Sequence, residues 1–298
     1  MKDELSIVIP TRDRPEILAL TLAALEGELR AHPSVEVVVV DDGSRTSLEP
    51  FLRDWAIRLP LTWRRQPPRG PAAARNLGAS IAEGRALLFL GDDIIPQAGF
   101  VGHHLRFHRE HPEPEAGMLG RVTWDPAVRV TPFLRWLENC GVQFGYAHLQ
   151  PGERVDFRYF YTSNVSLKRS LFERAGGFDE RFPLALYEDT ECAFRLEREG
   201  LQLVYRPEAL GHHRHPTSFA DAAAREKRKG ELIPLLMETA VGPVLFPDGA
   251  PSPAPATPAY RALRGLRRAL WMPFRLLADT RVPLPPAMYW RLLKAYGI

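Results

Sequence analysis

The sequence predicts an α/β fold: a mostly parallel sheet flanked by helices, with a helical extension at the C-terminus. Three observations carry this reading. Short apolar runs recur, too uniformly apolar for strands with one wet face. Between them, apolar residues return at helical spacing, so the order reads strand, helix, strand, helix. Two of the apolar runs then end in paired aspartates, at the strand ends where open α/β sheets place their binding crevice.

The elements follow in order. Residues 5–10 (LSIVIP) form the first strand. Thr11, Arg12, Asp13 and Arg14 make a polar turn, and Pro15 suits the first turn of a helix. From Glu16 to about Ala31, Ile17, Leu18, Leu22, Leu25 and Leu29 keep helical spacing. Residues 35–40 (VEVVVV) read as a central parallel strand, ending in Asp41, Asp42, Gly43 and Ser44. A helix over 50–57, a strand over 61–65 and a helix near 72–82 lead to the apolar run 86–90. That run ends in Gly91, Asp92 and Asp93. Adjacent carboxylates repel unless something positive joins them. A divalent cation bridging to a diphosphate does so, since hard cations take carboxylate and phosphate oxygens; the alternative is a solvated Asp-Asp turn. Two acidic tips on one sheet edge suggest a nucleotide pocket. The stretch RGPAAARN (69–76) opens a helix whose free N–H groups suit a polyphosphate, or else is an ordinary Gly-Pro turn.

Composition narrows the classes. The 298 residues, 45% of them hydrophobic, can bury one large core or two small ones. A net charge of +3 gives no nucleic-acid signal. Cys140 and Cys192 lie far apart and match no metal spacing, so a reducing cytoplasm is expected. The start, MKDELSIVIP, reads as a first strand, not a signal peptide. No apolar run approaches the roughly 20 residues of a membrane span.

Taken together, SIVIPTRDRP, VVVVDDGS, RGPAAARNLG and LGDDIIP resemble a family 2 glycosyltransferase of the GT-A fold. The later segments TSNVSLKRSLFERAGGFDERF and YEDTECAFRLEREG resemble that family's acceptor side, in the same order. The resemblance covers roughly residues 5–215 and implies a nucleotide-sugar donor (UDP-, GDP- or dTDP-linked), a Mn²⁺ or Mg²⁺ ion, and an inverting transfer to a saccharide or lipid-linked acceptor. It implies that Pro10, Thr11 and Arg14 line the base pocket and that Asp41 accepts from the base imide N–H, a task suited to a group that only accepts. Asp42, Gly43 and Ser44 would complete that wall, and Arg75 with Asn76 would close the far side. Asp92 would meet the ribose or an outer water of the metal, and Asp93 would ligate the ion. Many relatives carry a further acid where this chain has Gly91, which leaves the metal to Asp92 and Asp93. Asp189, with Glu188 second, would be the general base; neighbouring carboxylates raise each other's pKa. An Asp at a helix start is otherwise a cap. Asn164 and Ser166 would bound the acceptor pocket, or are plain strand-turn polar residues. In GHHRHP, His213 or His215 would complete the ion's ligands, with His215 slightly preferred; the alternative is a solvated loop.

The expected organisation is a glycosyltransferase domain over 1–218, its donor half reaching about 125 and its acceptor half about 126–218. A helix over 219–242, a Pro-rich linker over 243–259 and a basic amphipathic tail over 260–298 follow. Such a tail can lie on the inner face of the cell membrane, pack on the catalytic domain, or join two subunits. Two rivals stay open. A nucleotidyltransferase would show a Gly-rich loop after the first strand, where this chain has Thr11–Arg12–Asp13–Arg14–Pro15. A non-catalytic GT-A-like binding protein is the other.

Overall fold

The computed structural model describes residues 4–215, 217–250 and 257–296. The chain divides into two compact units, one made of the residues up to Asp125 together with His148–His215, the other of Pro126–Ala147 together with the residues after 215.

In the first unit the opening rhythm is as the sequence suggests. Strand β1 (Leu5–Thr11) leads into helix α1 (Pro15–Leu29), β2 (Val35–Asp41) into α2 (Glu49–Ala56), and β3 (Leu61–Arg65) into α3 (Pro71–Ile81). Strand β4 (Ala86–Leu90) completes a parallel block in the order β3-β2-β1-β4. Val37–Val40 and Leu87–Leu90 are wholly buried, which is why these runs carry no polar alternation.

Beyond β4 the sheet becomes mixed. Strand β5 (Ile94–Pro96), helix α4 (Phe100–Glu110) and the long β6 (Ala116–Trp124) come next. The second unit contributes α5 (Pro132–Asn139), and the chain returns with β7 (Arg154–Val155), β8 (Asn164–Lys168), α6 (Arg169–Arg174), α7 (Glu188–Arg198) and β9 (Gln202–His213). Strand β8 runs antiparallel to both β4 and β6, while β9 runs parallel to β6 and antiparallel to β5 and β7. The expected mostly parallel sheet is therefore mixed: parallel through β3-β2-β1-β4 and again between β6 and β9, antiparallel wherever β8, β5 and β7 pair. Burial decides that a strand is internal but not which way it runs, so a run such as NVSLK is silent on direction. Strand β9 is long because it pairs with β6 as far as Trp124 opposite His213. His212 and His213 thus lie in a strand and not in a solvated loop. Gly120 of β6 leaves room for a neighbour: a Cβ there would fall 2.2 Å from Asn164 Nδ2.

The second unit is helical. It holds α5, α8 (Phe219–Met237), α9 (Gly242–Leu245), α10 (Pro258–Ala278) and α11 (Pro286–Tyr296). Ser218 and Asp221 form a reciprocal cap on α8, bonding each other's backbone N–H. Phe133 of α5 packs on Phe219 and Tyr289, at 5.5 Å between ring centroids in each case, which ties α5, α8 and α11 into one core. Residues 251–256 of the expected Pro-rich linker and 297–298 of the tail lie outside the described residues. Among the described residues, no helix is long and apolar enough to cross a membrane.

Candidate active site

Strands β1, β2 and β4 end on one edge of the sheet. Thr11 stands in register with Asp41, and the Asp42 N–H donates to the Thr11 carbonyl at 2.9 Å. The Thr11 hydroxyl donates to Asp92 Oδ2 at 2.7 Å, and Thr21 Oγ1 donates to the Asp92 carbonyl at 2.8 Å. The acidic tips of β2 and β4 therefore meet across β1. Gly91 matters here: a Cβ added to it would lie 3.0 Å from Asp93 Oδ1, so any side chain would crowd that carboxylate.

Asp93 is the centre of a metal-competent cluster. Its Oδ2 lies 3.4 Å from His213 Nε2 and 3.4 Å from His215 Nδ1. One donor atom from each of the three falls within 4.8 Å of the others, and the two imidazoles stack at 5.5 Å between centroids. The pairing of β5 with β9 closes the long sequence gap, placing Ile94 opposite His213, and the Arg214 N–H fixes the Asp93 carbonyl at 2.8 Å. A carboxylate oxygen and two imidazole nitrogens suit a divalent cation. His213, the less favoured of the two histidines in the sequence reading, is buried and stands as near to Asp93 as the exposed His215.

Arg14, expected in the base pocket, turns instead to these acids. Its Nη1 donates to Asp93 Oδ2 at 3.0 Å, and its Nη2 donates to Asp92 Oδ1. Burial, and then the charge of Asp93, push Asp92 up to about 7 against the pull of Arg14 and Thr11. Asp93 behaves oppositely. Burial opposes its ionisation, but His213, His215 and Arg14 together hold it well below the usual carboxylate range.

Along β2 the roles separate. Asp41 accepts from the Ser44 N–H at 2.8 Å through Oδ1, while its Oδ2 is buried with no hydrogen-bond partner among the described residues. Arg65 Nε approaches that oxygen only to 3.5 Å. A buried acceptor left open fits a ligand N–H. Asp42 accepts from Gln66 Nε2 (2.8 Å) and Arg69 N (2.9 Å) through Oδ1 and from Gly70 N (2.9 Å) through Oδ2. It shapes the wall by holding the 66–70 loop. Gly70, at φ 92°, precedes α3, and a Cβ there would strike the Pro183 carbonyl at 2.5 Å. Ser44 Oγ accepts from the Asp13 N–H at 2.8 Å, Gly43 turns the chain at φ 70°, and Pro10 lies half-buried near the end of β1.

Arg75 and Asn76, expected to close the far side of the nucleotide pocket, bond the segment that leads into α7. The Arg75 guanidinium is buried and donates to Glu188 Oε1 at 2.9 Å. Asn76 holds the turn before α7, donating to the Phe178 carbonyl at 2.9 Å and accepting from the Phe178 N–H at 2.8 Å. Glu188 opens α7 after Tyr187, which takes the left-handed φ of 71°. Its Oε2 is buried without a partner among the described residues. Burial, then the neighbouring Asp189, raise Glu188 to about 7 against Arg75. Asp189 is half-buried and uses Oδ1 to accept from the Thr190 N–H (2.7 Å) and hydroxyl (3.2 Å). The dyad thus splits into an anchored, buried Glu188 and a more accessible Asp189.

Asn164 and Ser166 correct the acceptor reading, since both are 0% exposed. Asn164 donates to the Arg121 and Ala209 carbonyls at 3.1 and 2.8 Å, and its Oδ1 lies 3.0 Å from His104 Nε2. Ser166 Oγ lies 2.8 Å from both His104 Nδ1 and His108 Nε2. They belong to a buried polar network that no acceptor can touch. The signal for it was available in the sequence: His104 and His108 stand four apart, on one face of α4. A cavity of about 890 Å³ opens between Glu4, Ala86, His108 and Lys168, at the other ends of β1 and β4, and holds none of the acidic-tip residues.

A mixed α/β sheet whose edge gathers paired acids and a carboxylate–imidazole cluster is found in GT-A glycosyltransferases, and comparison with known proteins supports that fold. Residues 6–131 match the model of glycosyl transferase family 2, and residues 127–293 match that of glycosyl transferase family group 2. The chain belongs to the family 2 glycosyltransferases. It is 27% identical over 266 residues to chondroitin synthase of Escherichia coli, covering 79% of this chain and 38% of that protein. The mannosyltransferase PcManGT from Pyrobaculum calidifontis, solved in complex with GDP-Man and Mn²⁺, superposes with a TM-score of 0.61 at 18% identity, covering 99% of this chain and 86% of that one. TarS 1-349 of S. aureus in complex with UDP-GlcNAc gives 0.58 at 14% identity, covering 98% and 90%. The chain spans about half the length, or less, of the first curated relatives it matches.

Proposed function

We propose that this chain transfers a sugar from a nucleoside diphosphate sugar to an acceptor hydroxyl, with inversion at the anomeric carbon. The observation that carries the reading is the cluster of Asp93, His213 and His215 at the tip of β4, beside the open buried oxygen of Asp41. Asp41 receives the base N–H. Asp92, tied to Thr11, faces the ribose. Asp93, His213 and His215 hold a Mn²⁺ or Mg²⁺ ion, which when bound supplies positive charge against the departing diphosphate. Asp189 takes the proton of the acceptor hydroxyl. The oxygen bonds to C1 of the donor sugar as the bond from C1 to the diphosphate breaks on the opposite face. Glu188, pinned by Arg75, fixes where Asp189 stands. The acceptor is a saccharide or lipid-linked saccharide of polysaccharide or glycoconjugate synthesis, a reading supported by the match to a chondroitin synthase.

Calorimetry with nucleoside diphosphates and Mn²⁺, on wild type and on Asp93→Ala, tests the binding half. Wild type should bind one base preferentially, and only with the ion; binding that survives unchanged in Asp93→Ala sinks the ligand assignment. Product analysis tests the chemistry. A free nucleoside diphosphate supports glycosyl transfer, whereas pyrophosphate would identify a nucleotidyltransferase.

A further inference from the structure

We propose that α10 seats this chain on an anionic membrane surface, lying in the interface with its leucines toward the lipid. The helix leaves large apolar side chains in solvent. Leu266, Leu270 and Leu276 are 59, 67 and 66% exposed, and Phe274 is exposed beside them. Residues 266, 270 and 274 follow one another at four-residue spacing, so they form a single outward stripe. The inward side carries two arginines together with the half-buried Trp271 and the buried Ala278. Arg268 reaches the last carbonyls of α11, Ala295 and Tyr296, at 3.2 and 3.4 Å, and Tyr296 Oη donates to the Arg268 carbonyl at 2.7 Å. Arg275 lies over the Phe219 ring at 5.0 Å and within 3.5 Å of Asp279. Cations at a helix C-terminus are favourable, so these arginines hold α10 in place with its apolar face outward.

Charge selects the occupant. Residues 257–296 contain seven arginines and one lysine against a single acid, Asp279, which already accepts from the Phe219 N–H at 2.7 Å. Arg267, Arg281, Arg291 and Lys294 are exposed and carry no ion pair among the described residues. A second copy of the chain, docked through this face by a two-fold axis, would set cations against cations. An anionic lipid surface meets both features, the stripe with its acyl boundary and the cations with its headgroups. Arginines recurring along the helix keep it from spanning.

The inference does not depend on the catalytic reading. The test is co-sedimentation of the full chain with vesicles of phosphatidylcholine, alone or mixed with phosphatidylglycerol, at low and high salt. Anionic vesicles should retain at least about tenfold more protein than neutral ones, and high salt should reduce that. Leu266→Ser with Leu270→Ser should lose about tenfold in binding without moving the thermal midpoint, because both side chains face outward. Arg267→Gln, which leaves the stripe intact, should weaken binding to anionic vesicles only. Failure to sediment with either vesicle, or equal binding to both, overturns the proposal. So does a concentration-dependent dimer that the serine pair abolishes, since a second copy would then cover the stripe.

Discussion

At the scale of single residues, Arg14 and Asp189 carry the sharpest expectations. The Arg14 guanidinium bridges Asp92 and Asp93, where a divalent ion would also be drawn. Cation and guanidinium therefore compete for the same carboxylates. Arg14→Ala is expected to tighten Mn²⁺ binding in the absence of nucleotide, by at least about threefold, while weakening the nucleoside diphosphate; about 1.4 kcal/mol would correspond to tenfold. Titration of Mn²⁺ by electron paramagnetic resonance reads the first effect without any turnover, and weaker Mn²⁺ binding would remove Arg14 from this role. Asp189 is tested differently. Loss of a general base costs about 10² to 10⁴ in rate. Asp189→Asn should lose transfer by that factor with donor affinity unchanged by calorimetry. Should Glu188→Gln lose as much while Asp189→Asn loses little, the base would be the buried member of the dyad.

Elements are where buried polar groups set conditions on stability. Helix α4 presents His104 and His108 to Ser166 and Asn164 of β8. Burial depresses His104 to about 4 and His108 well below its ordinary value. The folded chain keeps His104 neutral while the unfolded chain protonates it below about 6.5. Between roughly pH 6.5 and 4 the unfolded state thus binds more protons, and stability falls as the pH falls. His104 alone accounts for about 3 kcal/mol of that loss once the pH is below 4. His104→Gln should flatten the dependence of urea midpoint on pH between 7 and 5, whatever it costs at neutral pH. An unchanged slope would place the acid sensitivity in other groups. The same element scale shows what the sequence left hidden. TSNVSLK announces a strand with polar residues, and nothing in it says that Asn164 and Ser166 face histidines from α4 and not an acceptor. That depends on β8 inserting between β4 and β6.

For the whole molecule, the two compact units predict an unfolding profile that need not be a single transition. Only the unit carrying β1 to β9 holds the acidic tips and the Asp93 cluster. A ligand stabilises the state it binds, by about 2.7 kcal/mol when present at a hundred times its Kd. Scanning calorimetry with the preferred nucleoside diphosphate and Mn²⁺ should raise the transition of that unit alone, and EDTA should return it to its starting temperature. A shift that ignores EDTA would separate nucleotide binding from the cation.

The sequence by itself determined the α/β class, the alternation of strand and helix from β1 to β4 and the two acidic tips, because uniform burial, helical spacing and chain breaks are local properties that composition displays; the order β3-β2-β1-β4 came from the pairing. It also determined that Asp93 and the GHHRHP histidines are metal-ligating types. Tertiary structure alone decided which acids are open and which are engaged. Asp42, Arg75 and Asn76 turn out to be partners of Gln66, Glu188 and Phe178, and Arg14 to be the counter-ion of Asp92 and Asp93. A side chain's chemistry is written in its residue type, but its partner is set by which strands pair and in what register. Only folding fixes that, by bringing His213 beside Asp93 from the far end of β9.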